Sequence, residues 1–209
     1  MPFGVQNAPS VFFSRMMRKL LEPLTDMPIY NFMDDLLVAT ESWQEHMELL
    51  GAVMKRLQEA GLTARPSKCK LGFSTMDYLG HTLGHGNLAP DAAKIEQLKD
   101  APQPATKAEV RSFLGFVGYY RRHVPGFGTI ALPLTDLTKK AAPNRVEWTD
   151  ECEIAFQRLK RALTTESILR LPDLERDFVL RTDASEAVLG AVLLQEHEGV
   201  LHPVAYGSW

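Results

Sequence analysis

Asp34 and Asp35 stand side by side in the run Phe32-Met33-Asp34-Asp35, with Ile29-Tyr30 before it and Leu36-Leu37-Val38 after. Two adjacent carboxylates repel each other unless a divalent cation neutralises them, and their hard oxygens suit Mg²⁺ or Mn²⁺. Apolar flanks about a polar centre predict two strands joined by a tight turn, with the acidic side chains carried out at its tip. A solvated Asp-Asp turn is the alternative, since Asp is a common turn former. A third carboxylate, Asp183, ends the hydrophobic run Phe178–Thr182; the alternative there is an ordinary turn residue at a strand end. In Tyr78-Leu79-Gly80-His81 the glycine permits close approach of a nucleic-acid backbone, and the Tyr and His offer stacking or phosphate contacts. An ordinary hairpin with a core Tyr fits the same residues.

The elements that position these groups follow from periodicity and punctuation. Residues 1–8 (MPFGVQNA) read as a loop broken by Pro2, Gly4 and Pro9. A helix is predicted from about Ser10 to Leu24, burying Val11, Phe12, Met16, Leu20 and Leu24. The acidic hairpin follows. A second helix is predicted over 40–60, capped by Ser42 with Glu45, striped by Trp43, Met47, Leu50, Met54 and Leu57, and ended by Gly61. Short strands are predicted at Leu71–Phe73, Tyr78–Leu83 and Leu88. This part of the chain reads as α+β.

Composition shifts at Pro90. A short helix is predicted over Asp91–Lys99, broken by Pro102 and Pro104. Another begins at Thr106, boxed by Glu109, with Val110, Phe113, Leu114 and Val117 inward. Tyr119 and Tyr120, adjacent on that helix, cannot both face one way, so one is assigned to the core. Pro125-Gly126 closes the helical unit. Residues 131–172 read as a linker, a strand-like Val146-Glu147-Trp148 and an amphipathic helix over Asp150–Leu163 with Asp150 and Glu153 at capping spacing. Strands are then predicted at Phe178–Asp183, Leu189–Leu194 and His202–Tyr206. With the chain stopping at Trp209, the last strand is expected to be an uncovered edge of an unfinished domain.

The 209 residues suffice for one large or two small domains with real cores. The net charge of −3 excludes a global polycation, so nucleic-acid binding must rest on local basic patches. Arg15/Arg18/Lys19, Lys68/Lys70, Arg121/Arg122 and Arg158/Lys160/Arg161 are candidates, and each is equally a solvated helix face. The 2 cysteines, without an apolar leader, point to free thiols in a reducing compartment. Lys68 and Lys70 flank Cys69, a setting that can activate a thiol, but an inert thiol on an alternating strand is the reading adopted. No apolar run is long enough to cross a bilayer.

Taken in order, MPFGVQNAP, FMDD, KCKLGF, YLGHTL, FLGFVGYYRRHVPGF, PLTDLTKK, VEWTDECEIAF and RTDASEAVLGAVLLQ resemble the reverse transcriptase of gypsy-type retrotransposons and their retroviral relatives, over nearly the whole chain. The resemblance implies an α+β partial reverse-transcriptase palm over 1–89 and a helical thumb over 90–130. An α/β connection over 131–176 and the truncated start of a ribonuclease H-like fold over 177–209 follow. It implies two-metal nucleotidyl transfer with Mg²⁺ (or Mn²⁺), in which paired ions about 3.5–4 Å apart clamp the attacking and leaving oxygens. Asp34 matches the carboxylate most directly on the metals and Asp35 its partner. Asp183 matches the first metal-binding aspartate of the nuclease, with Ser185 and Gly190 in the turn that follows.

Further roles come from the same resemblance. Pro2, Phe3, Gly4 and Phe32 match the lining of the incoming nucleotide; Phe32 stands where many members carry Tyr, and Phe3 where retroviral enzymes have Gln. Tyr78, Leu79, Gly80 and His81 match the primer grip. Lys107, Arg111, Arg121 and Arg122 are thumb candidates for phosphate contacts. The partners implied are an RNA/DNA template–primer duplex and a dNTP, without a membrane, in a cytoplasmic virus-like particle or the nucleus. The family's other palm aspartate belongs upstream of MPFG, and the later nuclease carboxylates belong beyond Trp209. The isolated chain is therefore expected to be inactive, its partner being a missing upstream polypeptide or a second copy in a homodimer; the alternatives are a non-enzymatic nucleic-acid-binding remnant, a domesticated retroelement protein or an inert remnant.

Overall fold

The computed structural model describes residues 8–165, 168–184 and 188–208, and the chain divides into two compact units, Met1–Ser74 and Thr75–Trp209. In the first unit, helix α1 (Ala8–Leu21) runs into a 3₁₀ turn at Glu22–Leu24, so the helix predicted to Leu24 tightens over its last residues. Strands β1 (Ile29–Phe32) and β2 (Asp35–Val38) form the expected hairpin, and helix α2 (Trp43–Glu59) follows. Paired residues share a face, so Ile29, Val38, Asn31 and Leu36 lie on one side of the hairpin and Tyr30, Leu37, Phe32 and Asp35 on the other. Ile29 and Leu36 pack with Leu57 and Leu62 on the buried Met17, Leu20 and Leu21 of α1.

Helix α2 starts and stops as its sequence directs. The Ser42 hydroxyl accepts from the Glu45 N–H at 3.2 Å. At the other end Gly61 (φ 69°) lets the Leu62 N–H reach the Leu57 carbonyl and its own N–H reach Gln58, a Schellman arrangement. The buried stripe is corrected. Leu49 and Val53 are buried, whereas Trp43, Met47 and Met54 of the predicted stripe are exposed. Leu57 of the predicted stripe does pack, against Met17, Leu20 and Leu21 of α1. Leu71–Phe73, predicted as a strand, is irregular and exposed, with Gly72 at φ 71° against the Trp43 ring.

The second unit opens with β3 (Thr75–Tyr78), β4 (His81–Gly84) and β5 (Asn87–Pro90), an antiparallel meander joined by β6 (Leu169–Arg170). Helices α3 (Ala92–Lys99), α4 (Lys107–Tyr119), α5 (Phe127–Asp136) and α6 (Asp150–Thr165) build its core. Val110, Phe113 and Val117 of α4 meet Ile130 and Leu134 of α5 and Phe156, Leu159 and Leu163 of α6. Asp91 caps α3 and Thr106 with Glu109 closes a full capping box on α4. Helix α5 falls in a region read as the close of one unit and the start of a linker. Pro125-Gly126 reads as the close of a unit, but Gly126 (φ 62°) turns the chain into the helix, and burial of Ile130, Ala131 and Leu134 holds it despite Pro133.

Two further readings change. Val146–Trp148 is not a strand; the Val146 N–H reaches the Ala105 carbonyl at 3.1 Å beside an isolated bridge of Thr106 with Arg145. The α6 N-terminus is capped by the Thr149 hydroxyl, which takes the Cys152 N–H at 3.3 Å, rather than by Asp150. Strands β7 (Phe178–Ala184), β8 (Leu189–His197) and β9 (Val200–Ser208) form a separate antiparallel sheet in the order β7-β8-β9. The last strand is not bare. β9 is largely half-buried and the Gly128 N–H reaches the Ser208 Oγ at 2.7 Å, while β7 is exposed throughout.

Candidate active-site hairpin and nucleic-acid interface

The β1–β2 loop has two residues, Met33 and Asp34, between the paired Phe32 and Asp35. Met33 takes φ 53°, the sign that primed hairpin turns require at their first central position. A methionine held there is strained by about 1–2 kcal/mol, and its effect is to put Asp34 at the apex with Asp35 next to it. Both carboxylates are exposed, and no described residue gives either a hydrogen bond or an ion pair. Phe32 (51% exposed) and Tyr30 (57%) form an aromatic face on the side of Asp35. Pro2, Phe3 and Gly4 lie outside the described residues.

Unpartnered carboxylates on a rigid tip are sound ligands for a hard cation, so Asp34 and Asp35 fit Mg²⁺ or Mn²⁺ as two members of an oxygen set. Among the described residues no third Asp, Glu, His or Cys joins them in a metal-binding group. Asp183 lies on β7 opposite Gly190, exposed like the rest of its strand; Ser185 lies outside the described residues.

Tyr78-Leu79-Gly80-His81 forms a second two-residue hairpin. Leu79 (φ 48°) and Gly80 (φ 74°) both take positive φ, and Tyr78 pairs with His81. The end of α4 is folded against this turn. Tyr119 Oη donates to the Leu79 carbonyl, and Tyr120 Oη donates to the Gly80 carbonyl at 2.8 Å. The Asp91 N–H also reaches the Gly80 carbonyl, at 3.1 Å. The His81 ring lies 5.4 Å from that of Tyr119, 5.3 Å from Tyr120 and 5.4 Å from His123. Burial lowers the His81 pKa, its contact with the Leu79 carbonyl opposes that, and the nearby Lys94 ammonium lowers it further. Burial, then the Asp91 charge and Tyr119, push Tyr120 up to about 12. Tyr120 is the core member of the pair (1% exposed) and Tyr119 is 55% exposed. Their hydroxyls still converge, because Tyr120 already lies past the end of the helix.

Adjacent tyrosines at a helix end were the only sequence signal for this contact. Their partners lie 40 residues away.

The four basic thumb candidates separate into two kinds. Lys107 Nζ donates to the carbonyls of Lys139 and Ala142, and Arg111 donates to the Thr138 carbonyl at 3.0 Å, so both secure the loop after α5. Arg121 and Arg122, on a 3₁₀ turn beside the buried His123, are exposed.

Residues 1–83 match the family described as reverse transcriptase (RNA-dependent DNA polymerase), and residues 148–209 match the RNase H-like domain found in reverse transcriptase. The chain belongs to the reverse-transcriptase region of retrotransposon Pol polyproteins. It is 36% identical to the retrovirus-related Pol polyprotein of transposon 297 from Drosophila melanogaster, over 100% of this chain and 19% of that protein. It is 36% identical to that of transposon 412 from the same fly, over 100% of this chain and 17% of that protein. The transposon Tf2-3 polyprotein of Schizosaccharomyces pombe is 31% identical, over 100% of this chain and 16% of its own length. The chain thus spans under one fifth of these Pol polyproteins. A foamy viral protease–reverse transcriptase solved with double-stranded DNA superposes with a TM-score of 0.87 at 28% identity, covering 99% of this chain and 36% of that one. The same kind of protein solved with an RNA/DNA hybrid gives 0.85 at 27% identity, over 100% and 28%. The α+β architecture is that of the matching reverse-transcriptase region. The RNase H-like match takes in α6 as well as the β7–β9 sheet.

Proposed function

We propose that this chain is part of an RNA-directed DNA polymerase that also carries a ribonuclease H. The observation that carries the reading is the carboxylate pair Asp34 and Asp35, without a partner among the described residues, on a strained two-residue tip inside the stretch that matches reverse transcriptases. Asp34 and Asp35 would hold Mg²⁺ or Mn²⁺, and Asp183 would be one ligand of the nuclease metals. Bound cations of this kind supply charge neutralisation for in-line phosphoryl transfer. Pro2, Phe3, Gly4 and Phe32 line the nucleotide in this reading.

The palm is assigned to residues 1–89, the thumb to 90–130, the connection to 131–176 and the first nuclease strands to 177–209. The partners are a template–primer duplex and a dNTP in an intracellular setting. Support comes from relatives solved with double-stranded DNA and with an RNA/DNA hybrid. Among the described residues no helix is long and apolar enough to cross a membrane. Tyr78, Leu79, Gly80 and His81 form the primer grip in this assignment. Arg121 and Arg122 are the better phosphate ligands, because internal carbonyls already hold Lys107 and Arg111.

One observation favours a second reading, a nucleic-acid-binding piece without catalysis of its own: no third metal-ligating side chain joins the doublet among the described residues. Two assays on the 209-residue chain test them, and extension that depends on Asp34 is the outcome that would exclude the second. Filter binding to an RNA–DNA hybrid over a salt series is expected to show log affinity falling linearly with log salt, by about 0.7–0.9 per phosphate neutralised. Absence of salt-dependent binding defeats the second reading. Primer extension on a poly(rA) template is expected to fail; extension that disappears in Asp34→Asn would show that these residues suffice for catalysis.

A further inference from the structure

The turn at Leu79–Gly80 has its acceptors occupied and its donors free. Tyr119 Oη and His81 Nδ1 lie on the Leu79 carbonyl, and Tyr120 Oη and the Asp91 N–H on that of Gly80. Among the described residues nothing accepts from the amide N–H of Leu79 or Gly80. Lys94 Nζ stands beside Gly80, where an added Cβ would meet it at 3.0 Å and the Tyr119 ring at 3.3 Å, and no described carboxylate pairs with it.

We propose that Tyr119 and Tyr120 are positioning residues that draw both carbonyls of the Leu79–Gly80 turn inward, so that the tip meets a nucleic-acid phosphate with N–H donors alone. The proposal rests on reading this turn as the primer grip. A phosphate oxygen only accepts hydrogen bonds, so an open carbonyl beside it repels it, and a carbonyl held by a tyrosine proton does not. The same two bonds hold Leu79 in a left-handed conformation that a β-carbon disfavours. Gly80 supplies the absence of a side chain where Lys94 and Tyr119 crowd in.

The test uses Tyr119→Phe, Tyr120→Phe and the double variant in the 209-residue chain. Phenylalanine keeps the ring contacts with His81 and removes only the hydroxyls. Affinity is measured for an RNA–DNA hybrid with a recessed primer 3′ end and for its blunt-ended counterpart. Backbone amide order parameters are read at Leu79 and Gly80. The wild-type chain is expected to prefer the recessed end. Each single variant should lose about fivefold of that preference, the equivalent of one hydrogen bond, with blunt-end affinity unchanged. Order parameters at the tip should fall below about 0.6 in the double variant. A wild-type preference that survives in the double variant, with the tip still ordered, overturns the proposal. A wild-type chain with no preference removes the primer-grip reading and the phosphate half of the proposal with it; unchanged order parameters would then remove the rest.

Discussion

The candidate site rests on side chains that have no partner among the described residues. Asp34 and Asp35 face outward because a two-residue loop puts Asp34 at the apex and Asp35 beside it, and no described cation pairs with either. His81 has the opposite environment. Its ring is packed among Tyr119, Tyr120 and His123, and burial together with Lys94 keeps its pKa below the ordinary value of 6.5. The unfolded chain therefore binds this proton more readily than the folded one. Stability from His81 is complete above about pH 6.5 and is lost as pH falls toward the folded value. His197 is shifted in the same direction, chiefly by burial. Thermal melts between pH 5 and 8 should show stability rising with pH up to about 6.5–7, and His81→Gln should flatten part of that rise; a wild-type curve flat across the range would contradict the assignment. The acidic doublet was legible from residue types alone. That Lys107 and Arg111 hold the loop after α5 was not, because the carbonyls they bond lie 27–35 residues along the chain.

Among the elements, those with complete end signals were the readable ones. Thr106 accepts from the Glu109 N–H, and the Glu109 carboxylate accepts from the N–H groups of Ala105 and Thr106. Those bonds, the one from Ala105 first, hold the Glu109 pKa below the ordinary carboxylate range. Thr106→Ala is expected to cost about 1 kcal/mol, read as a lowered denaturant midpoint with an unchanged slope; Thr106→Ser should restore most of it. Helix α5 had the reverse balance. Its Pro133 removes a backbone donor and argues against a helix locally, yet Leu134 on the same helix is fully buried between α4 and α6. On α2 two apolar stripes competed, and tertiary packing buried Leu49 and Val53 while leaving Trp43, Met47 and Met54 exposed.

For the whole molecule, the helices of the second unit are held by one apolar core that also carries the turn-clamping tyrosine. Tyr120 belongs to the cluster built from α3, α4, α5 and α6, so the placement of the Leu79–Gly80 turn and the stability of that core are linked. Leu159, at 0% exposed, lies in that core. Leu159→Ala is expected to destabilise the chain by about 2–5 kcal/mol, measured by chemical denaturation, and to loosen the turn at Leu79 and Gly80 as the helices slacken. A variant with a wild-type denaturation midpoint would show that the site collapses around the gap.

The sequence by itself determined the features whose causes lie within a few residues of one another. These are the acidic tip between two apolar runs, the capping box at Thr106, the Gly61 stop and the order of motifs that carries the family. Only the tertiary structure decided that Tyr119 and Tyr120 reach back to Leu79 and Gly80, which face of α2 is covered, and that Lys107 and Arg111 are engaged internally. Local signals act through short hydrogen bonds and backbone sterics that a sequence displays directly. Long-range contacts depend on how helices pack into a common core, and the same residues are compatible with several packings until that core is formed.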